Sequence, residues 1–284
     1  MRRIAIIAVS ILTLLLFAGC TGNLFMEWDK PDVPSVSEIN NRDLTDDSGA
    51  ESFFSEIENL EDANRLSGDK ETSDAIVERL KELYDSGDPD YQPGISDENR
   101  QKAAAYAGEI AIKSDPNANE LTSNLIGSFP ELTDDSGGGA DPAELMNSLV
   151  PDAVKTDRSA FDAMISALLK SADAYLTFGN SLNDTDADGK IDSESAPFMI
   201  DGEFGDTVQR AGTSIAVMAA VDALDGNMNG TVEQAGIDEL FNLVNTGSTT
   251  WPVSDDPTDA FDDTGAETYA GLGNILDAAG LSFS

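Results

Sequence analysis

The chain is 284 residues long, room for one large domain or two modest ones, and 40% of its residues are hydrophobic, enough to bury a core. Its 54 acidic residues outnumber 16 basic ones, and the formal net charge of −38 excludes a nucleic-acid binder working by phosphate neutralisation or a basic patch gripping anionic lipid. With no His there is no Ser-His or Cys-His dyad and no His-ligated zinc or haem, and the single Cys, Cys20, excludes an internal disulfide.

Residues 1–19 read as a signal peptide. Arg2 and Arg3 are followed by an uncharged apolar run from Ile4 to Ala18, broken only by Ser10 and Thr13. At about 15 residues it is short for a membrane span and suits the apolar region of a secretory signal. The run ends in Leu16-Phe17-Ala18-Gly19-Cys20, which resembles the lipobox of bacterial lipoproteins. That family usually has Leu three places before the Cys; here Phe17 stands there, with Leu16 just before it. The resemblance implies cleavage before Cys20, acylation of Cys20 and anchoring through two or three acyl chains, which hold stably where one would not. By the same resemblance, Thr21 rather than Asp after the Cys points to the outer membrane.

Residues 20–47, with Pro31, Pro34 and no sustained period, predict a disordered tether. An N-terminal helical domain is predicted over 48–132. Ser48 and Glu51 have capping-box spacing, and Phe53, Phe54, Ile57 and Leu60 then share a helical face. Ala75, Ile76, Leu80, Leu83 and Tyr84 form a second stripe, closed by Gly87. A third helix opens after Ser96 and runs to Lys113, and a fourth starts at Asp115-Pro116, where Pro suits the first turn. The stretch Tyr106-Ala107-Gly108-Glu109-Ile110-Ala111-Ile112-Lys113-Ser114-Asp115-Pro116-Asn117-Ala118 resembles the end of a tetratricopeptide repeat, which would imply a protein-binding scaffold of helix pairs. It covers about 13 residues, and three aligned repeats, the usual minimum for a stack, are not found.

An acidic, Gly-rich linker is predicted over 133–141, and a C-terminal helical domain over 142–284. There Phe161, Met164, Ile165, Leu168, Leu169, Ala172, Tyr175 and Leu176 keep helical spacing for more than four turns. Val208, Ala211, Ile215, Met218 and Ala219 form another face, Ile237, Leu240, Phe241 and Val244 a further one, and Tyr269, Leu272, Ile275 and Leu276 the last. No alternating strand pattern is found. The predicted fold class is all-α, a helical bundle or helix-pair array carrying a pair of acidic loops in its C-terminal half.

The first loop, 184–195, sets Asp184, Asp186 and Asp188 at alternate positions, then Gly189, Lys190, Ile191, Asp192 and Glu194. It resembles the calcium loop of the EF-hand family, where acids at positions 1, 3 and 5 turn oxygen toward one point and Gly at 6 allows the bend. A carbonyl at 7 (here Lys190) adds a ligand, and an apolar residue at 8 locks the loop to the core. Two departures stand out. Position 12, normally a bidentate Glu, is Ser195, with Glu194 adjacent, and Pro197 falls where an outgoing helix would continue. Both fit an ion site without a second helix, as in dockerin-like or thrombospondin-type loops.

The second loop, 225–236, is a softer copy. Asp225, Asn227, Asn229, Gly230, Thr231 (through its carbonyl), Val232 and Glu233 take the same places, and Gly236 stands at position 12. Amides in place of carboxylates lower the expected affinity. The resemblance of the loops implies Ca2+ as the bound ion, and a paired module would let Val232 and Ile191 meet across it. The other acidic clusters, such as Asp255-Asp256 and Asp262-Asp263, lack this alternation and read as solvated loops.

The leading expectation is a non-enzymatic, lipid-anchored calcium-binding helical protein with a structural or interaction role in the cell envelope. Its partners would be the membrane through Cys20 and an envelope protein, with no nucleic acid. The alternative is a tetratricopeptide-like adaptor lipoprotein without a functional metal. A carboxylate-based envelope hydrolase stands third, because 54 acids make any chosen pair uninformative.

Overall fold

The computed structural model describes residues 32–62, 64–132, 142–183, 191–199, 203–226, 228–253, 268–269 and 271–279. The predicted signal peptide, Cys20, the predicted linker over 133–141, Asp184, Asp186, Asp188, Lys190 and Asn227 lie outside the described residues. All regular structure within them is helical, as the apolar periodicity predicts. The α-helices are α1 (Val36–Asn40), α2 (Asp47–Asp62), α3 (Lys70–Tyr84), α4 (Asp97–Ser114), α5 (Pro116–Leu132), α6 (Pro142–Leu149), α7 (Arg158–Ser181), α8 (Glu203–Asp225), α9 (Gln234–Thr246) and α10 (Leu272–Ala278), with one 3-10 turn at Ser193–Ser195. None of these helices is long and apolar enough to cross a membrane.

Several helix starts are capped by side chains. Ser96 Oγ accepts the Asn99 N–H at the start of α4, and Asp157 accepts the Ala160 N–H at the start of α7. Asp115 Oδ1 accepts the N–H groups of Asn117 and Ala118 at 2.9 and 3.0 Å, which turns the chain directly from α4 into α5. At α2 the structure differs from the expected Ser48 capping box: Asp46 Oδ1 takes the Gly49 N–H at 2.9 Å, and the cap lies two residues earlier, with the helix beginning at Asp47.

Packing also begins within the stretch expected to be tether. Ser35 and Glu38 form a capping box at α1, and Ile39 and Leu44 are fully buried. Residues 36–47 are thus built into the fold. A five-residue helix is too short to show a 3.6-residue period, so its sequence reads as loop.

Helices α4 and α8 are the buried centre. α4 packs between α3 and α7, and α8 contacts α7, α9 and α10. Both are rich in small residues: Ala103, Ala104, Ala105, Ala107 and Gly108 on α4, and Ala211, Gly212, Ser214, Ala219 and Ala220 on α8, are all buried. Small side chains let neighbouring backbones come close. A Cβ on Gly108 would lie 2.7 Å from the Tyr175 ring of α7. Ser171 and Ser214 share a buried hydrogen bond of 3.0 Å between α7 and α8.

One core joins Phe54, Ile57, Leu80 and Ile110 to Tyr175, Phe178, Ile215 and Ile275. A second joins Leu121 to Met146, Phe161, Leu168, Val221 and Leu240. Helices α7 and α8 contribute to both, so residues on either side of 133–141 share each core.

Candidate metal centre

The first loop leaves α7, whose C-cap is Leu182. Its described part shows how it closes. Ser195, at the place of the bidentate acid, is buried, and its Oγ donates to the Asn183 carbonyl across the loop at 2.5 Å. The Ser195 carbonyl accepts from Gln101 Nε2 of α4 at 2.9 Å. Asp192 Oδ1 accepts the Glu194 N–H at 2.8 Å and caps the 3-10 turn, while Glu194 is exposed. The Ile191 N–H is given to Asp277 Oδ2 of α10 at 3.2 Å rather than to Val232. No α-helix follows directly: Pro197 comes after the 3-10 turn, and α8 starts only at Glu203.

The second loop lies between α8 and α9, two helices in contact. Gly226, Met228 and Gly230 all have positive φ, at 86°, 32° and 80°, which coils the backbone tightly. Asp225 Oδ2 accepts the Glu233 N–H at 3.3 Å, spanning the loop, and Asn229 Oδ1 accepts the Thr231 N–H at 2.8 Å. Glu233 takes the N-cap position of α9 without a side-chain cap bond. Thr231 and Glu233 are exposed. Gly236, at position 12, is buried, and a Cβ there would lie 2.2 Å from the Val221 carbonyl oxygen. An acidic side chain at that position has no room.

Beneath the loop sits a carboxylate outside the pattern. Asp222 is 0% exposed, one helical turn before Asp225 and on the same face of α8. Its Oδ2 accepts the Gly230 N–H at 2.7 Å and the hydroxyl of Tyr269, which is itself fully buried. Burial, and then the carboxylate of Asp222, push the Tyr269 phenol well above its ordinary value, so it remains a donor. Asp222 Oδ1 has no hydrogen-bond partner among the described residues.

Of the predicted ligands, Asp225, Asn229, Thr231 and Glu233 lie along this loop, with Asn229, Thr231 and Glu233 exposed, whereas Asp192 and Glu194 lie on the closing arm of the other. Among the described residues no three acidic side chains converge as a ready metal cluster. Asp222 and Asp225 offer carboxylate oxygens one helical turn apart on α8, and Asn229 offers an amide oxygen on the loop; oxygen donors of this kind are what a hard divalent ion takes. The loop pattern misses Asp222. Its trace in the sequence is a lone Asp among the apolar residues Val217, Met218, Val221 and Leu224 of a central helix.

No protein-family model, no curated protein and no solved structure matches the chain.

Proposed function

We propose that this chain is a lipid-anchored extracytoplasmic protein whose C-terminal half binds calcium for structure, with a structural or interaction role in a bacterial cell envelope. The Leu16-to-Cys20 motif supports the anchor, and the Asp184, Asp186, Asp188, Gly189 alternation supports the ion. The observation that carries the reading is the helix–loop–helix from α8 to α9. There a loop with three positive-φ residues lies over a fully buried carboxylate, one oxygen of which has no partner among the described residues. Weak sites suffice where calcium is plentiful. In a chain whose single Cys rules out internal disulfides, an ion bound only by the folded state acts as a staple.

The test is thermal unfolding of the mature chain in EDTA and in excess calcium at matched ionic strength. Calcium at a hundredfold excess over Kd stabilises by about 2.7 kcal/mol per site, which raises Tm by several degrees. An unchanged Tm under saturating calcium overturns the reading.

A further inference from the structure

The geometry points to Asp222 as a cation ligand of the second loop that no position of the loop pattern supplies, and to Tyr269 as the positioning residue through which an ion there seats the C-terminal helix α10. The inference rests on the calcium reading of the second loop.

A fully buried carboxylate with two neutral donors on one oxygen and, among the described residues, none on the other is an unfavourable arrangement. A water would satisfy the oxygen and leave the charge. A cation answers both. The loop needs this oxygen, because the contact between Gly236 and the Val221 carbonyl bars an acid at position 12. Asp222 also faces the loop: the same carboxylate holds the Gly230 N–H.

Its second donor, Tyr269, leads directly into α10, and α10 is tied to the other loop as well. Asn274 Nδ2 donates to the carbonyls of Gly179 and Leu182 at 2.8 and 3.2 Å, where the chain enters the first loop. Asp277 accepts the Ile191 N–H from that loop. At Gly271, with φ 95°, a Cβ would lie 2.3 Å from the Leu176 carbonyl oxygen, so the helix is seated closely on α7. The helix therefore meets the first loop directly, the preceding Tyr269 holds the carboxylate beneath the second, and an ion on Asp222 would fix the anchor point of its leading end.

The experiment uses the mature chain carrying Asp184→Ala, which silences the first loop, and reads calcium by calorimetry and terbium(III) by tyrosine-sensitised emission. Adding Asp222→Asn, which keeps shape and acceptor but loses the charge, is expected to weaken both ions at least tenfold. It should also abolish the calcium-dependent slowing of amide exchange over 271–279. Adding Tyr269→Phe is expected to remove most of the sensitised emission, and this variant decides the matter if Asp222→Asn fails to fold. Unchanged affinity in Asp222→Asn, or unchanged emission in Tyr269→Phe, overturns the inference. An ion bound by the unaltered chain but not by the Asp184→Ala parent also overturns it and leaves the first loop standing. No ion bound by the unaltered chain sinks the calcium reading itself.

Discussion

Gly236 shows how one contact can override a motif. The calcium pattern asks for an acid at this place, and a residue there would ordinarily also favour helix: Ala is about 1 kcal/mol better than Gly in a helix interior. The Val221 carbonyl, 2.2 Å from where a Cβ would stand, reverses that preference. Restoring the pattern with Gly236→Glu is therefore expected to destabilise the protein, with an overpacking cost of order 1–3 kcal/mol, and to leave calcium affinity no better. Gly236→Ala should also lower Tm. A rise in Tm for Gly236→Ala, measured by calorimetry, would show that α8 and α9 separate easily. The sequence shows that position 12 lacks its acid; only the crossing of α8 and α9 shows why. Asp222 is the converse case. Its carboxylate was readable as an odd residue on an apolar face, but its partners lie 8 and 47 residues away and no local pattern links them.

The long helices were legible because a 3.6-residue apolar period shows clearly over four or more turns, as from Phe161 to Tyr175 on α7. The period says which face is buried and not what it meets, so the shared cores on either side of 133–141 were not readable. Caps were legible where the residue stands alone, as at Asp115. Asp115→Ala is expected to cost about 1 kcal/mol by leaving the Asn117 and Ala118 N–H groups uncapped at the α4–α5 corner, measurable by urea unfolding. A polar cluster joining α2, α4 and α8 makes a prediction of a different kind. Lys113 Nζ lies 3.1 Å from Glu61 and 2.7 Å from Glu109, with Arg210 beside Glu109 at 3.8 Å. Burial, and then the Glu109 charge, raise the Glu61 carboxyl above its ordinary value. The folded state thus holds that proton where the unfolded chain has lost it. Stability is lost as pH rises from the ordinary carboxylate value through the higher folded one. Glu61→Gln removes this penalty and keeps an acceptor for Lys113. The variant should gain stability relative to the parent as pH rises from the ordinary carboxylate range through the raised value of Glu61. A stability difference that does not change with pH, measured by urea unfolding across that range, would mean Glu61 keeps its charge at no cost.

At the scale of the molecule, a net charge of −38 must be folded against its own repulsion, and the few cations are placed where they join helices. Lys170 of α7 lies 2.8 Å from Asp74 of α3, Lys113 links α4 to α2, and Arg158 of α7 lies 2.5 Å from Asp238 of α9. These pairs are partly exposed, so each contributes little and salt weakens it further. Salt also screens carboxylate–carboxylate repulsion, and with 54 acids against 16 bases the repulsive pairs outnumber the attractive ones. The second effect should win. Without divalent ions, Tm is expected to rise as sodium chloride goes from about 0.01 M, where the Debye length is near 30 Å, to about 0.5 M, where it falls below 10 Å. A falling Tm would mean that the inter-helix pairs dominate. The same series separates a bound ion from a diffuse one. Calcium gathered by converging oxygens competes poorly with sodium for general screening but keeps its own site, so its added stabilisation should persist at 0.5 M salt, diminished but not lost. A calcium effect that disappears there would belong to the counterion atmosphere of an acidic surface, and the two loops would be bends without an ion.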